Sequence, residues 1–221
     1  MILTADDMYK AFLDGIKKEY TGVVRPDQFN RIVNEWGQMP WLKSKVALVE
    51  FNSKVIMDIQ PVVITPETHV VANNQFLLTS LTHRIYRPLG LSVKVQYGPD
   101  DPCDRTGTSD WIYDVHVMRS DRRTVVKKSS FRRPTADKVY YQIASGSMHF
   151  DCGSGNQVVT MALEYARYPL DIVWSSTGTH VNSEFGPEQN SEIVDTLVKA
   201  YLENVGDPRY QSFLNEYSQK N

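Results

Sequence analysis

The chain is 221 residues long, 41% hydrophobic and 23% charged, with a formal net charge of -2. Those totals allow one generous domain with a full apolar interior, and the nearly neutral balance excludes a protein whose whole surface coats nucleic acid. Two cysteines, Cys103 and Cys152, resemble neither a disulfide framework nor a metal knuckle and read as a reduced pair.

The opening MILTADDMYK carries no basic n-region and no apolar h-region, so no secretory signal is expected. No apolar run approaches the roughly 20 residues that span a bilayer, and an aqueous compartment is expected. Thr4 followed by Asp6 and Asp7 makes a helix start, a hydroxyl cap with carboxylates near the positive helix end. Met8, Phe12 and Ile16 then recur at four-residue spacing, with Tyr9 and Leu13 alongside, giving one apolar stripe to about Tyr20 before Thr21-Gly22 ends it. Pro26 suits the first turn of a second helix whose inward face is Phe29, Ile32, Val33 and Trp36. Gly37 and Pro40 predict a break, after which WLKSKVALVEFNSKV resumes a third helix.

From Asp58 to about Gln75 the pattern turns extended, with Pro61 and Pro66 bracketing Val62, Val63 and Ile64. Proline belongs on a sheet edge, so this reads as an edge strand or a crossing arm. Asn73-Asn74 reads as a turn. A strand-rich stretch follows: LGLSVKVQYG, DWIYDVHVM, RTVVKK, KVYYQIAS and QVVTMALEYARYP. Leu91, Val93, Val95 and Tyr97 alternate with polar residues, and Val159, Met161, Leu163 and Tyr165 repeat the period of two that a half-buried sheet requires. The loop from Pro99 to Asp110 is acidic through Asp100, Asp101, Asp104 and Asp110, but lacks the ligand spacing of a calcium loop.

The next segment, RSDRRTVVKKSSFRR, crowds Arg119, Arg122, Arg123, Lys127, Lys128, Arg132 and Arg133 around the single acid Asp121. On a hairpin these charges would project together as an anion-attracting surface, for another subunit or for DNA phosphates. The plainer reading is a solvated hairpin whose charges keep its edge from pairing. Asp151-Cys152-Gly153-Ser154-Gly155 resembles the glycine loop of S-adenosylmethionine-dependent methyltransferases, yet Val158 to Tyr165 alternates like a strand where that loop should open a helix. A glycine-rich turn is the better reading. The five histidines form no i,i+4 pair, no serine sits in a nucleophile elbow, and no catalytic, cofactor or metal residue is assigned. Coil runs from about Ser175 to Pro187, and a last helix is expected from about Ser191, with Ile193, Val194, Leu197, Val198, Tyr201 and Leu202 apolar and Gly206 as its end. DPRYQSFLNEYSQKN reads as a short helix or a tail.

Several short stretches carry a family likeness: Arg25-Pro26 with Phe29-Asn30, Trp41-Leu42, Phe51-Asn52, Asp58-Ile59-Gln60-Pro61-Val62-Val63, Glu164-Tyr165, Tyr168-Pro169, Glu192-Ile193-Val194-Asp195 and Asp207-Pro208-Arg209-Tyr210-Gln211. In this order they resemble a group of small virion proteins of crAss-like tailed phages. The resemblance implies a structural protein, made in the host bacterial cytoplasm, that forms or decorates a ring of the neck or short tail below the portal. Its implied partners are copies of itself in a dodecameric ring, the portal and neighbouring ring and tail proteins, with passing contact to packaged DNA and none to membrane. No catalytic residue or cofactor is implied. Other virion roles, such as head completion or capsid association, and a methyltransferase-like enzyme are the rival readings.

The expected fold is α+β: residues 1–57 helical and packed on the core, 58–75 an extended arm, 76–174 a mainly antiparallel β-sandwich or barrel-like core, and 175–221 coil, helix and tail, all in a single structural domain.

Overall fold

The computed structural model of the chain describes residues 4–16, 24–49, 53–99, 105–129 and 131–205. The expected helix end at Thr21-Gly22, the acids Asp100, Asp101 and Asp104, Cys103, Gly206 and the tail after it lie outside the described residues. Its helices and mostly antiparallel strands make the α+β class expected from the sequence. Packing divides the chain into two compact units, one of residues 1–62 with 169–221, the other of residues 63–168.

The first unit is helical. Helix α1 (Ala5–Ile16) begins with a reciprocal cap: the Asp7 N–H donates to Thr4 Oγ1 at 3.1 Å, and the Thr4 N–H to Asp7 Oδ2 at 3.0 Å. Its stripe of Met8, Phe12 and Ile16 is buried, as the four-residue spacing predicts. Helix α2 (Pro26–Ile32) starts on Pro26, and here the expected break does not occur. The helix widens into a π-helical stretch, Val33–Gln38, and runs on as α3 (Met39–Val49). A π turn bonds i to i+5. The Met39 N–H accordingly reaches Asn34 O, and the wider coil passes Pro40 without stopping. The same widening rotates the inward face: Gly37 and Gln38 are buried, while Trp36, expected inside, is only half-buried. Gly37 sits at a close approach, since a Cβ there would lie 3.2 Å from the Ile193 carbonyl oxygen and from Leu197 Cβ. Helix α5 (Pro187–Val205) begins on Pro187, a turn earlier than Ser191, and buries Ile193, Val194, Leu197, Val198 and Leu202.

An extended segment, residues 170–174, is held along the α2–π run by side-chain amides. Gln38 Nε2 donates to Leu170 O at 3.0 Å. Asn34 donates to Ile172 O and accepts from its N–H, both at 2.9 Å, and Asn30 does the same with Trp174 at 3.0 and 2.7 Å. Four helical residues advance about 6 Å and two extended residues about 6.6 Å, so the two periods stay in step over three amides. The Trp174 ring stacks on Tyr9, centroids 4.1 Å apart.

The second unit is a β-sandwich. One sheet has the order β1 (Val63–Val70), β8 (Gln157–Arg167), β3 (Ile85–Gln96), β4 (Ser109–Ile112), all antiparallel. The other has β2 (Gln75–Leu77), β7 (Ser147–Asp151), β6 (Tyr140–Ala144), β5 (His116–Val117), with only β5 and β6 parallel. The edge-strand reading of the Pro-bracketed segment holds only from Val63, in β1, where Pro66 falls in a bulge between Ile64 and Glu67, while Gln60–Val62, expected extended, forms a 3₁₀ turn on Pro61. Val93, Val95, Met161, Leu163 and Tyr165 of the first sheet meet Phe76, Met148 and Phe150 of the second in one core.

Three local expectations are corrected. In β8 it is Val158 that is fully buried, not Val159, because β8 bulges at Val159: Thr160 lies opposite Lys94 and Val158 opposite Val95, so Val159 has no partner and the faces exchange there. DWIYDVHVM is not one strand but β4 and β5 in different sheets. Arg119 to Arg133 is no hairpin. Ser120–Arg122 makes a 3₁₀ turn and Arg123–Lys128 a short helix, α4. Its Val125 and Val126 are adjacent rather than alternate, and no residue of α4 is buried, so nothing imposes a strand's two faces.

Candidate functional site: a basic turn and cleft on the sandwich

Helix α4, the turn that follows it and the β7–β8 connection surround a cleft of about 550 Å³ in the second unit. Its charged lining is Arg105, Lys127, Arg133, Asp137 and Asp151, with Gly153, Ser154 and Asn156 from the connection. Asp151 ends β7 and pairs with Lys127 Nζ at 2.8 Å. Opposite, Arg105 makes two bonds of 2.9 Å to the Asp137 carboxylate and one of 2.9 Å to the Tyr97 hydroxyl, its guanidinium 3.8 Å from the Tyr97 ring centroid. Burial, then the hydrogen bond with Asp110 and the nearby Asp137 charge, push the Tyr97 phenol up to about 12, so it stays a neutral donor. Arg123, one turn before Lys127 on α4, lines a smaller hollow of about 50 Å³ that shares Asp151.

Of the seven cations singled out from the sequence, Lys127 and Arg133 reach the cleft and Arg123 the adjoining hollow. Arg119, Arg122, Lys128 and Arg132 are exposed around them without lining either. Lys127 alone of the seven has an ion-pair partner among the described residues. Sequence reading missed Arg105 and Asp137 as a pair, and no local signal could have joined residues 32 apart. It did single out Asp151 to Gly155, whose connection is a glycine-rich turn, Gly153 and Gly155 both at positive φ, that leads into a strand and not a helix.

Cys152, beside Asp151, is buried, and burial pushes its thiol up to about 11, the Asp151 charge adding to the effect. Among the described residues no group of three His, Cys, Asp or Glu side chains gathers to hold a metal ion, and no helix is long and apolar enough to cross a membrane. The arrangement is suited to holding an anion: two cations are already neutralised by carboxylates, and a third, Arg133, has no ion-pair partner among the described residues.

No protein-family model matches the chain, and no characterised protein matches its sequence.

Proposed function

We propose that the chain is a structural subunit that assembles through its margins, and more narrowly a ring component of the neck or short tail of a crAss-like phage particle. In that position it joins head to tail below the portal and continues the path for DNA. One observation carries the reading. Each of the four outermost strands of the sandwich, β1, β2, β4 and β5, bears an exposed large apolar side chain: Val70, Leu77, Trp111 and Val117. Unpaired strand edges are ordinarily blunted by charge or cover because they invite pairing with another chain. Apolar residues on such edges suit a subunit whose edges are occupied in an assembly, and a closed ring needs two different surfaces that meet head to tail.

The test is quantitative mass spectrometry of purified infectious particles. The reading expects the chain at the copy number of a portal-vertex ring, below that of a capsid subunit. Val117→Lys and Trp111→Lys together are expected to yield folded protein that fails to enter particles. Infectious particles without the chain would overturn the proposal.

A further inference from the structure

Phe131 is 88% exposed, the most exposed of the large apolar side chains among the described residues. The described residues around it are hydrogen-bonded. The Arg133 N–H donates to Ser129 O at 3.0 Å, the Arg132 N–H to Ser129 Oγ at 3.2 Å, and Lys138 Nζ to Phe131 O at 3.0 Å. The aromatic ring is therefore exposed to water on a hydrogen-bonded backbone and is followed in sequence by Arg132 and Arg133, neither in an ion pair among the described residues. Arg133 also lines the 550 Å³ cleft, which lies within the size range of small-ligand sites.

We propose that this turn and its cleft bind single-stranded nucleic acid, an unpaired base stacking on Phe131 while Lys128, Arg132 and Arg133 neutralise adjacent phosphates. Cations interleaved with a free aromatic face are what single strands require, because every base has a π-face and every linkage a charge. The bases of a duplex are already stacked and leave Phe131 no face to meet. An acidic protein surface would satisfy the cations but leave the exposed ring of Phe131 uncovered, whereas an unpaired base stacks on it.

The site is read on the full chain by fluorescence anisotropy with a labelled oligothymidylate, a duplex of the same length and poly-glutamate as competitor. Single-strand affinity is expected to fall steeply with salt. Phe131→Ala should weaken it roughly tenfold and leave duplex affinity unchanged, while Phe131→Trp should retain single-strand binding. Paired Arg132→Glu and Arg133→Glu should abolish it. Absence of binding at low salt, an unchanged affinity in Phe131→Ala, or displacement by poly-glutamate as effective as by unlabelled oligonucleotide would each overturn the proposal. The assay reads the isolated chain, so its outcome is separate from the particle measurement that tests the ring.

Discussion

Replacing Gly98 by alanine should cripple the sandwich selectively. Gly98 follows β3 and lies against the β7–β8 connection, where an added Cβ would sit 2.1 Å from the Gly155 carbonyl oxygen and 2.6 Å from its carbonyl carbon. Carbon and oxygen ordinarily approach no closer than about 3.3 Å, so the overlap exceeds an ångström, and both obstructing atoms are backbone. The connection cannot easily retreat. The Gly98 N–H donates to Asn156 Oδ1 at 3.0 Å, and Asn156 Nδ2 in turn donates to Cys152 O at 3.1 Å. Forcing an atom into such a contact costs about 1–3 kcal/mol, and losing the Gly98–Asn156 bond adds about 1 kcal/mol. A loss of about 2–4 kcal/mol would lower the melting temperature of a unit this size by roughly 10–20 °C. Gly107→Ala is the control: Gly107 has a left-handed φ of 78° and nothing within 4 Å of its would-be Cβ, so only backbone strain of about 1 kcal/mol is expected. Thermal melts combined with hydrogen exchange, read separately on peptides of residues 63–168, make the comparison. If Gly98→Ala melted within a few degrees of Gly107→Ala, the close approach would have no energetic meaning.

Other perturbations have equally definite outcomes. Lys45 Nζ bridges Asp58 at 3.0 Å and Glu192 at 2.8 Å, and although burial opposes its charge, those hydrogen bonds hold its pKa above the ordinary value. Lys45→Met should cost about 2 kcal/mol in urea unfolding, partly restored when Glu192→Gln is added. Asn34→Leu removes both bonds to Ile172 and strands its buried backbone groups, which should cost about 2–4 kcal/mol and raise exchange at residues 170–174. Cys152 and Tyr97 both have folded pKa values above their unfolded ones of 9.0 and 10.0. The folded unit thus holds the more protons in that range, and its stability should decline as pH rises from about 9 to about 12; pH-dependent melts that stayed flat there would contradict the burial of both groups. Iodoacetamide at pH 8 should spare Cys152 in the native protein and modify it in urea, as peptide mapping would report.

How much could be read in advance depends on how local each cause is. The stripe of Met8, Phe12 and Ile16 and the alternation of Val93, Val95 and Tyr97 state their own geometry, and both faces are buried as written. The cap at Thr4 needs only Asp7, three residues away. The π turn does not announce itself, because what crowds Gly37 is the approach of Ile193 and Leu197, more than 150 residues later in the chain. Val158 instead of Val159 faces inward because β8 bulges at Val159 as it pairs with β3, and period-two alternation alone does not mark where a bulge will fall. The cleft was half legible. Its cations stand together in sequence, whereas Arg105, Asp137 and Tyr97 become neighbours only once the sandwich has closed.

The row of amides at Asn30, Asn34 and Gln38 has a consequence for biosynthesis. A ribosome delivers those three donors more than a hundred residues ahead of Leu170, Ile172 and Trp174, their acceptors. The intervening sandwich begins and finishes on paired strands, Val63 opposite Ala166, and so can mature alone while the helices wait. Truncating the nascent chain before residue 170 should release a finished sandwich joined to helices that cannot yet lock.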